Sequence, residues 1–577
     1  MTKRVQYILV GLLAGLAFWG LFELPEGWSE TRLFVMALGA AVSFGFGALA
    51  MLGELGLRRA LAQALALAAV TAALAGLEAL SFADAREMFE TGHVLVALAV
   101  VAFLPVPFLI AWGLGGGAGW RDYRVLFIES WNIVVRYLAA WLFVGVVFVV
   151  LWLLAVLLDI VGVTLLSDLL DTPLAVWLII GGVLGLALSV VAEMPDMVSP
   201  YLLLRLLRLL LPLVLVVEVI FVLALPLRGL THLFGQLSTA SILLSTALAS
   251  IALVSIAVDQ DDVEAAHGPA TVWSARGLAL LLPALAGLAV WAIALRVQEY
   301  GWTPGRVMAA TGAGVVSGYG LLYAATVLTG RHWMGWLRRA NVAMALAVIA
   351  LGVLWLSPLI SPEALATRSQ LARYAQGSLP AAQVPLWEMA HDWGNAGRRG
   401  LERLREEAQR PEQVALAERF AALERAKNRW DMTAPEEIDL AARAKALAEV
   451  LRVLPEGAVL PEALGQALVR QFDSAEFEAC AQKTPAGNPG CVLVLADLAP
   501  QLPGVEAVFL QASGKAFSAW ASREAGWQRA NGLLLGAPEP AEGGVLIDAL
   551  LAGGAGEPEP VDLRALRAGA WQLTLEP

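Results

Sequence analysis

The sequence predicts an α-helical integral membrane bundle of about 11 transmembrane helices, followed by an extracytoplasmic helical stalk and a small α/β module. Three observations predict it. The 577-residue chain is 59% hydrophobic and 15% charged, whereas soluble proteins are about half apolar and about a quarter charged. The apolar excess falls in separate segments of about 20 residues, each long enough to cross a hydrocarbon core about 30 Å thick. The last third of the chain loses this pattern and contains both cysteines.

Apolar windows define the predicted spans. The first window resembles the apolar part of a signal peptide. No small-x-small cleavage site precedes the acidic segment ELPEGWSE, so we expect a retained first helix. The eleven predicted spans lie near residues 5–22, 33–52, 61–80, 94–112, 133–158, 173–192, 209–227, 238–258, 277–296, 307–329 and 341–360.

The distribution of Lys and Arg between alternate loops predicts the orientation. With the N-terminus in the cytoplasm, the cytoplasmic loops carry most of these basic residues, as the positive-inside rule requires. An odd number of spans then places the chain after about residue 360 outside the cytoplasm. We therefore expect three regions: a membrane bundle over 1–360, a helical region over 361–455 and a small α/β module over 456–577.

The cysteines test this orientation independently. Cys480 and Cys491 flank a Pro- and Gly-rich loop, CAQKTPAGNPGC, and in an oxidising compartment such a pair forms a disulfide. Closing so short a loop would stabilise the fold by about 3 kcal/mol. The alternative is a pair of reduced thiols in a cytosolic domain. A metal site would need more ligands than this segment contains.

Glu218 is the least expected residue of the predicted bundle, because it lies near the middle of the seventh span. A carboxylate at that depth costs about 2.5–3.5 kcal/mol on insertion scales. Pro212 and Pro226 bracket it and can each kink the helix. Glu218 is therefore a candidate proton or cation site in a broken helix. The alternative is a carboxyl that hydrogen-bonds to a neighbouring helix and fixes packing.

Three arginines are candidate lipid or anion contacts. Arg205 and Arg208 stand one turn apart before the seventh span and suit a lipid phosphate, although orientation alone would also place them there. Arg136 lies in the fifth span, four residues after Asn132 and near Glu129. It is shallow enough for its long side chain to reach the interface as a structural anchor.

Clustered acids raise the question of a metal. Asp259, Asp261 and Asp262 lie in a predicted cytoplasmic loop and could hold Mg²⁺ for a phosphate-bearing substrate. The alternative is a solvated acidic loop. The sequence contains no HExxH or GxSxG motif, which argues against the enzyme classes that use them. We expect no cofactor, and a net charge of -11 without a clustered basic patch indicates no nucleic-acid partner.

The segment RVQEYGWTPGR joins the ninth and tenth spans. Thr303 suits an N-cap and Pro304 the first helical position, while Tyr300 has the character of an interfacial aromatic. The remaining polar residues are candidates for pairing, and we expect this loop to be a docking point for the C-terminal domain. The loop signature comprises Arg296, Glu299, Tyr300, Thr303 and Arg306.

Small residues at four-residue spacing, such as Gly11 and Gly15, indicate close packing within the bundle or between copies of the chain. A homo-oligomer is therefore one candidate assembly. The lipid bilayer is the expected partner, together with a candidate periplasmic or membrane protein.

Several segments together resemble a catalogued family. LRVQEYGWTPGRV, LPLRGLTHLFGQLSTA, SPEALATRSQLARYAQG and CVLVLADL resemble the signature segments of the uncharacterised bacterial polytopic membrane proteins of domain-of-unknown-function family 4153. The resemblance spans most of residues 130–510. It implies a protein of the bacterial cytoplasmic membrane and implies no catalytic residue.

The sequence leaves three function classes open. One is transport or translocation of a small solute, ion or lipid across or within the membrane. A second is an envelope sensor or assembly factor whose C-terminal domain binds a periplasmic partner. The third is a membrane-embedded enzyme acting on lipid-linked substrates, and the lack of catalytic motifs leans against it.

Overall fold

The computed structural model describes residues 2–23, 31–116, 119–193, 200–228, 239–330, 332–432, 440–471, 480, 482–498, 504–512, 517–523, 526–530, 543–553, 565–568 and 571–574. The chain divides into two compact units, Met1–Met432 and Thr433–Pro577. The first unit contains the long apolar helices and the short helices that follow them. The second contains a mixed β-sheet.

Across the described ranges, eleven helical spans are long and apolar enough to cross a membrane. This confirms the predicted multi-pass membrane bundle. The helices of its first half are α1 (Lys3–Phe22), α2 (Arg32–Leu55), α3 (Leu57–Glu78), the short α4 (Ala85–Glu90), the consecutive pair α5 (Gly92–Phe103) and α6 (Val106–Leu114), α7 (Tyr123–Ile160), the short α8 (Leu165–Leu170) and α9 (Pro173–Glu193). Those of its second half are α10 (Pro200–Arg208), α11 (Leu211–Arg228), α12 (Thr239–Val258), α13 (Pro269–Tyr300), α14 (Pro304–Leu328) and α15 (Trp333–Trp355).

Helices α1 and α9 pack with their backbones in direct contact. A Cβ atom on Gly11 would lie 2.1 Å from the carbonyl oxygen of Gly181, and one on Gly15 would lie 2.2 Å from that of Trp177. Only glycine permits so close an approach. The predicted small-residue pair of α1 therefore packs against another helix of the same chain.

Among the described residues, three large groups of buried apolar side chains hold the bundle together, and a smaller fourth group joins α7, α10 and α12. The first joins α1, α2, α3, α6, α7 and α9. The second joins α11 to α15. The third joins the ends of α3 and α15 to α2, α4, α5 and α14. This third group lies at the end of the bundle where the chain leaves α15 for the helices that follow.

Those following helices form a small domain on that end, which we call the cap. They are α16 (Pro362–Ala375), α17 (Leu386–His391), α18 (Gly394–Ala408), α19 (Val414–Arg425) and α20 (Arg429–Met432). The cap has its own core around Leu386, Met389 and Trp393. Arg398 of α18 donates hydrogen bonds of 2.9 and 3.1 Å to the carboxylate of Glu87 in α4. The first part of the helical region after residue 360 is thus fastened to the bundle.

The second unit is built on a five-stranded sheet in the order β1–β2–β3–β4–β5. Strand β1 pairs in parallel with β2, and each later strand is antiparallel to the one before it. The predicted strands CVLVLADL and VEAVFLQA contain β2 and β3. The elements are α21 (Leu440–Val450), β1 (Arg452–Leu454), α22 (Glu462–Gln471), β2 (Cys491–Ala496), β3 (Glu506–Gln511), β4 (Phe517–Arg523), β5 (Gly526–Ala530), α23 (Gly543–Gly553) and the hairpin of β6 (Ala565–Ala568) and β7 (Trp571–Thr574).

Both faces of this sheet are covered. Leu493, Phe509 and Trp520 belong to a core shared with α21 and α22. Val492 faces the other side and packs in a core with Ile547 of α23. This alternation follows from the two-residue period of a strand. The predicted disulfide is present between Cys480 and Cys491, whose Cα atoms lie 4.7 Å apart.

Candidate functional site

The predicted loop signature lies where the cap meets the bundle. The Thr303 hydroxyl caps α14 by accepting a hydrogen bond from the backbone N–H of Arg306 at 3.3 Å. Gly301 has a φ of 74°, in the left-handed region that favours glycine. Arg306 donates to the carbonyl oxygen of Gly301 at 2.7 Å. The guanidinium groups of Arg306 and Arg296 lie 5.4 and 5.7 Å from the centre of the Tyr300 ring.

Side chains of helix α16 in the cap bind the main chain of this turn. Gln370 donates to the carbonyl oxygens of Tyr300 at 3.0 Å and Trp302 at 2.9 Å. Arg373 donates to the carbonyl oxygen of Glu299 at 2.7 Å. Because the acceptors are backbone atoms, the cap recognises the conformation of the turn more than its side chains. The loop signature is therefore a docking point for the cap.

Glu218 is buried in α11, with 2% of its surface exposed. The hydroxyl of Ser250 in α12 donates a short hydrogen bond to its Oε1 atom. Its Oε2 atom has no hydrogen-bond partner among the described residues. The Ser250 contact is a polar link between two neighbouring helices, as the packing interpretation expects. The free Oε2 atom is what a proton or cation site would use, so both interpretations of Glu218 stay predictions.

The three candidate arginines occupy different environments. Arg136 pairs with Glu54 of α2 at 3.1 Å, so it joins two helices of the bundle. Arg208 donates to the carbonyl oxygens of Ile256 at 3.0 Å and Glu264 at 2.8 Å. The Ile256 carbonyl belongs to the last turn of α12, where carbonyl groups have no partner within the helix, and the Glu264 carbonyl belongs to the loop that follows. Arg205 is exposed on α10.

The three acids of the predicted metal site each have protein partners. Asp259 is buried and pairs with Arg208. Asp262 pairs with Arg338 at 2.7 Å, and Asp261 accepts backbone hydrogen bonds within its own turn. Among the described residues, no group of three or more His, Cys, Asp or Glu side chains is arranged to hold a metal ion.

Three other ionisable side chains meet at the cap end of the bundle. Glu78 ends α3, His93 lies at the start of α5, and Glu363 lies in the first turn of α16; their exposed fractions are 4%, 6% and 2%. The Nε2 atom of His93 lies 2.9 Å from Oε1 of Glu363. Ser361 donates to the second oxygen of Glu363 at 3.0 Å. Burial raises the pKa of the Glu363 carboxyl.

Unpaired polar atoms are concentrated around this cluster. The His93–Glu363 contact is not aligned as a hydrogen bond. Both ring nitrogens of His93, Oε1 of Glu363, Nε1 of Trp355 and Oγ1 of Thr367 lack a hydrogen-bond partner in the part of the chain that the structure describes. The rings of His93 and Trp355 meet edge to face, with centres 5.8 Å apart. Since about 90% or more of buried polar groups are hydrogen-bonded, such a concentration marks a place where a polar ligand group would be stabilised.

A partly open apolar cavity of about 220 Å³, bordered by four helices of the bundle, adjoins this cluster. His93 and Trp355 belong to its wall. The lining positions 348–355 of α15 extend over about 10 Å along the helix axis. The volume exceeds the roughly 150 Å³ of an apolar cavity that admits benzene. The remaining lining residues come from α5, α12, α14 and α15 and are Val96, Ala97, Val100, Leu244, Leu248, Met308, Thr311, Gly312, Val315, Val316, Val348, Leu351 and Gly352.

We call this cavity, with His93 and Trp355 in its wall and Glu363 behind them in contact with His93, the cap-end site. Its composition suits an amphiphile, since a hydrocarbon segment would contact the apolar wall while a polar group meets the imidazole of His93 and the indole of Trp355. The carboxyl and the imidazole can each donate or accept a proton according to their protonation. The site can therefore bind either a hydrogen-bond donor or a hydrogen-bond acceptor.

Sequence reasoning did not single out Glu78, His93 or Glu363. Each lies at the edge of a predicted span or just beyond one, where a polar residue is ordinary. One signal was available, because the predicted layout places the end of the third span, the start of the fourth and the end of the eleventh on the same membrane face. Comparison of the chain with protein-family models, with curated proteins and with solved structures found no match.

Proposed function

We propose that this multi-pass membrane protein binds a membrane amphiphile at the cap-end site and moves it within or across the bilayer. The observation that carries the proposal is the apolar cavity that ends at the unpaired polar atoms of His93 and Trp355. Such an arrangement, an apolar wall with a few convergent polar groups, is typical of small-molecule sites.

The polar end of the site supplies the selectivity. A lipid tail already lies in an apolar solvent, so moving it from the bilayer into the cavity gains little from the hydrophobic effect. Hydrogen bonds to His93, Trp355 and Glu363 can distinguish one headgroup from another. An unpaired buried polar group costs about 1–3 kcal/mol, and a ligand that pairs with it removes that cost.

We infer that the cap lies on the outer side of a bacterial cytoplasmic membrane. The end of the bundle opposite the cap carries Arg58 and Arg59 at the start of α3 and Arg338 and Arg339 near the start of α15. Basic residues favour the cytoplasmic side. The Cys480–Cys491 disulfide supports an oxidising compartment for the second unit. The resemblance to family 4153 agrees with this location.

A photo-crosslinking experiment tests the cap-end site. The protein is reconstituted with a phospholipid that carries a diazirine in one acyl chain, and crosslinked peptides are mapped by mass spectrometry. Gly312 lines the cavity, and among the described residues a Cβ atom there would come within 4 Å of Leu244 alone, at 3.9 Å. Gly312→Leu therefore places a side chain into the cavity, and we expect crosslinking of α5 and α14 peptides to fall severalfold.

Gly314→Leu is the matched control. Gly314 lies on the same helix and is exposed, and a Cβ atom there would have no described neighbour within 4 Å, so this change leaves the cavity open. We expect it to crosslink like the wild type. If Gly312→Leu and Gly314→Leu crosslink to the same cavity peptides equally, the chain of the amphiphile does not occupy the cavity.

One observation favours a second function, that of an envelope sensor or assembly factor. Residues after Thr433 form a compact unit with its own cores and a disulfide, as a partner-binding module would. A chain ending at Met432 tests it. A sensor or assembly factor should lose its cellular phenotype while lipid crosslinking in the bundle persists, whereas a retained phenotype contradicts this function.

A further inference from the structure

A second pocket lies at the end of the bundle opposite the cap. It has a volume of about 550 Å³ and is bounded by the 3₁₀ turn Gly119–Arg121, the first residue of α7 and the first half of α15. Three guanidinium groups line it, those of Arg121, Arg338 and Arg339. None of its described lining residues is acidic.

One of these arginines, Arg338, uses its hydrogen-bond donors within the protein. Arg338 donates to the carbonyl oxygens of Val258 at 2.7 Å and Asp259 at 3.1 Å, and to the carboxylate of Asp262 at 2.7 Å. Arg338 borders the pocket, while its donors hold the end of α12 and the loop that follows. It is therefore a fixed structural cation.

The other two arginines are held by aromatic rings. The guanidinium of Arg121 lies 4.5 Å from the centre of the Trp120 ring, and that of Arg339 lies 4.7 Å from the centre of the Trp336 ring. Within the described residues, neither guanidinium pairs with a carboxylate. Stacking orders a guanidinium and leaves the N–H groups at its edge free to donate.

The pocket becomes apolar along α15. Val342, Ala343 and Leu346 line it beyond the arginines, and the distance from residue 339 to residue 346 is about 10 Å along a helix axis. Because α15 is one of the membrane-spanning helices, this apolar part lies at the depth of lipid tails. A soluble anion would use only the arginine part, whereas an anionic lipid would use both.

We propose that Arg121 and Arg339 bind the phosphate of an anionic phospholipid, with the adjoining tail segment against Val342 and Leu346. Planar guanidinium groups match the geometry of a phosphate and pair with it through two parallel hydrogen bonds. The site is distinct from the cap-end site, and neither depends on the other. Binding a lipid phosphate is a more specific role than setting the orientation of the protein in the membrane, to which any basic residue on this face would contribute.

Native mass spectrometry of the full-length protein in detergent tests this proposal. The protein is titrated with phosphatidylglycerol and, separately, with phosphatidylcholine of the same tail length. We expect the wild type to retain phosphatidylglycerol roughly tenfold or more in preference, since one arginine at a membrane surface contributes on the order of 1 kcal/mol. The double variant Arg121→Gln/Arg339→Gln should lose most of that preference.

Arg58→Gln/Arg59→Gln is the matched control. Both residues are exposed at the start of α3, on the same face of the bundle, and they do not belong to this pocket. Their removal should leave the preference unchanged. Equal losses in the two double variants would mean that only the overall charge of the face matters, and would overturn the site.

Two further arms separate a lipid from a free phosphate. Ala343→Trp fills the apolar part and keeps every arginine, so it should weaken retention of phosphatidylglycerol. Glycerol phosphate at millimolar concentration should fail to displace phosphatidylglycerol. Displacement by glycerol phosphate, or full retention in Ala343→Trp, would overturn the proposal that a lipid is the ligand.

Discussion

The side-chain amide of Gln370 in the cap holds Gly301 of the bundle from both sides, because it donates to the carbonyl oxygens just before and just after that glycine, at 3.0 and 2.9 Å. The turn is thereby bound by its backbone. Its left-handed conformation at Gly301 exposes successive carbonyl groups to one helix of the cap.

Gln370→Leu should loosen the cap. The substitution keeps the volume but removes two part-buried hydrogen bonds, each of which contributes about 0.5–1.5 kcal/mol. We expect a lower melting temperature and faster protease cleavage within residues 362–432. Arg368→Ala on the exposed side of the same helix is the control and should change neither. Equal protease sensitivity in the two variants would contradict this role.

Gly301→Ala should destabilise the same junction by another route. A Cβ atom there would lie 2.7 Å from Cδ of Arg373 and 2.8 Å from Nε2 of Gln370, and the left-handed conformation costs a side chain about 1–2 kcal/mol. The thermal midpoint should fall. Gly305→Ala, whose Cβ would have no described neighbour within 4 Å, should leave it unchanged or raise it. A fall in both variants would argue against a special role for the turn.

Glu218 and Ser250 should be energetically coupled. Hydrogen bonds between helices in a membrane contribute about 0.6–2 kcal/mol, so Glu218→Leu and Ser250→Ala should each lower the free energy of unfolding. The loss in the double variant should be smaller than the sum of the two single losses. Glu218→Gln keeps an acceptor oxygen for the Ser250 hydroxyl and should stay near the wild type. Additive losses in the double variant would disprove the pairing. A proton-coupled flux abolished by Glu218→Gln at unchanged stability would support the ion-site interpretation.

Glu363 should make the stability of the first unit depend on pH. Burial raises the pKa of its carboxyl in the folded protein, so the folded state holds the proton more tightly than the unfolded state. The stabilisation by the protonated carboxyl is complete below the ordinary carboxyl pKa of about 4.3. It decreases as the pH rises from there and is lost once the pH has passed the raised pKa of the folded state. The ionisable groups that face it are Glu78 on α3 and His93 on α5.

Thermal unfolding between pH 4 and pH 8 measures this effect. We expect the melting temperature of the wild type to fall with rising pH, from about 4.3 upward to the raised pKa, more steeply than that of Glu363→Gln, because glutamine does not titrate. Glu412→Gln changes an exposed carboxyl of the cap and should keep the slope of the wild type. Identical slopes for Glu363→Gln and the wild type would show that Glu363 does not control the dependence.

Patterns within short segments predicted much of the fold. Each span is a continuous apolar run, the cap of α14 follows from the order of Thr303 and Pro304, and strands β2 and β3 are short apolar runs bounded by Pro and Gly. These features depend on neighbours along the chain. A hydrophobic span or an N-cap is recognisable before its position in the bundle is known.

The contacts of the candidate sites depend instead on which helix ends meet. His93 and Glu363 are in contact only because α16 folds back over the start of α5. Asp259 forms an ion pair with Arg208 only because α10 lies beside the end of α12. No local pattern specifies such partners. For the same reason, acids that resemble metal ligands in sequence are paired with arginines in the structure.

The contact of α1 with α9 also constrains how the chain is made. Gly11 and Gly15 touch the backbone of a helix that is translated long after them, so the first helix leaves the translocon without its close partner. Until α9 is inserted, α1 presents two bare glycine surfaces to lipid. The polypeptide must therefore complete about a third of its synthesis before its first helix can reach its final position.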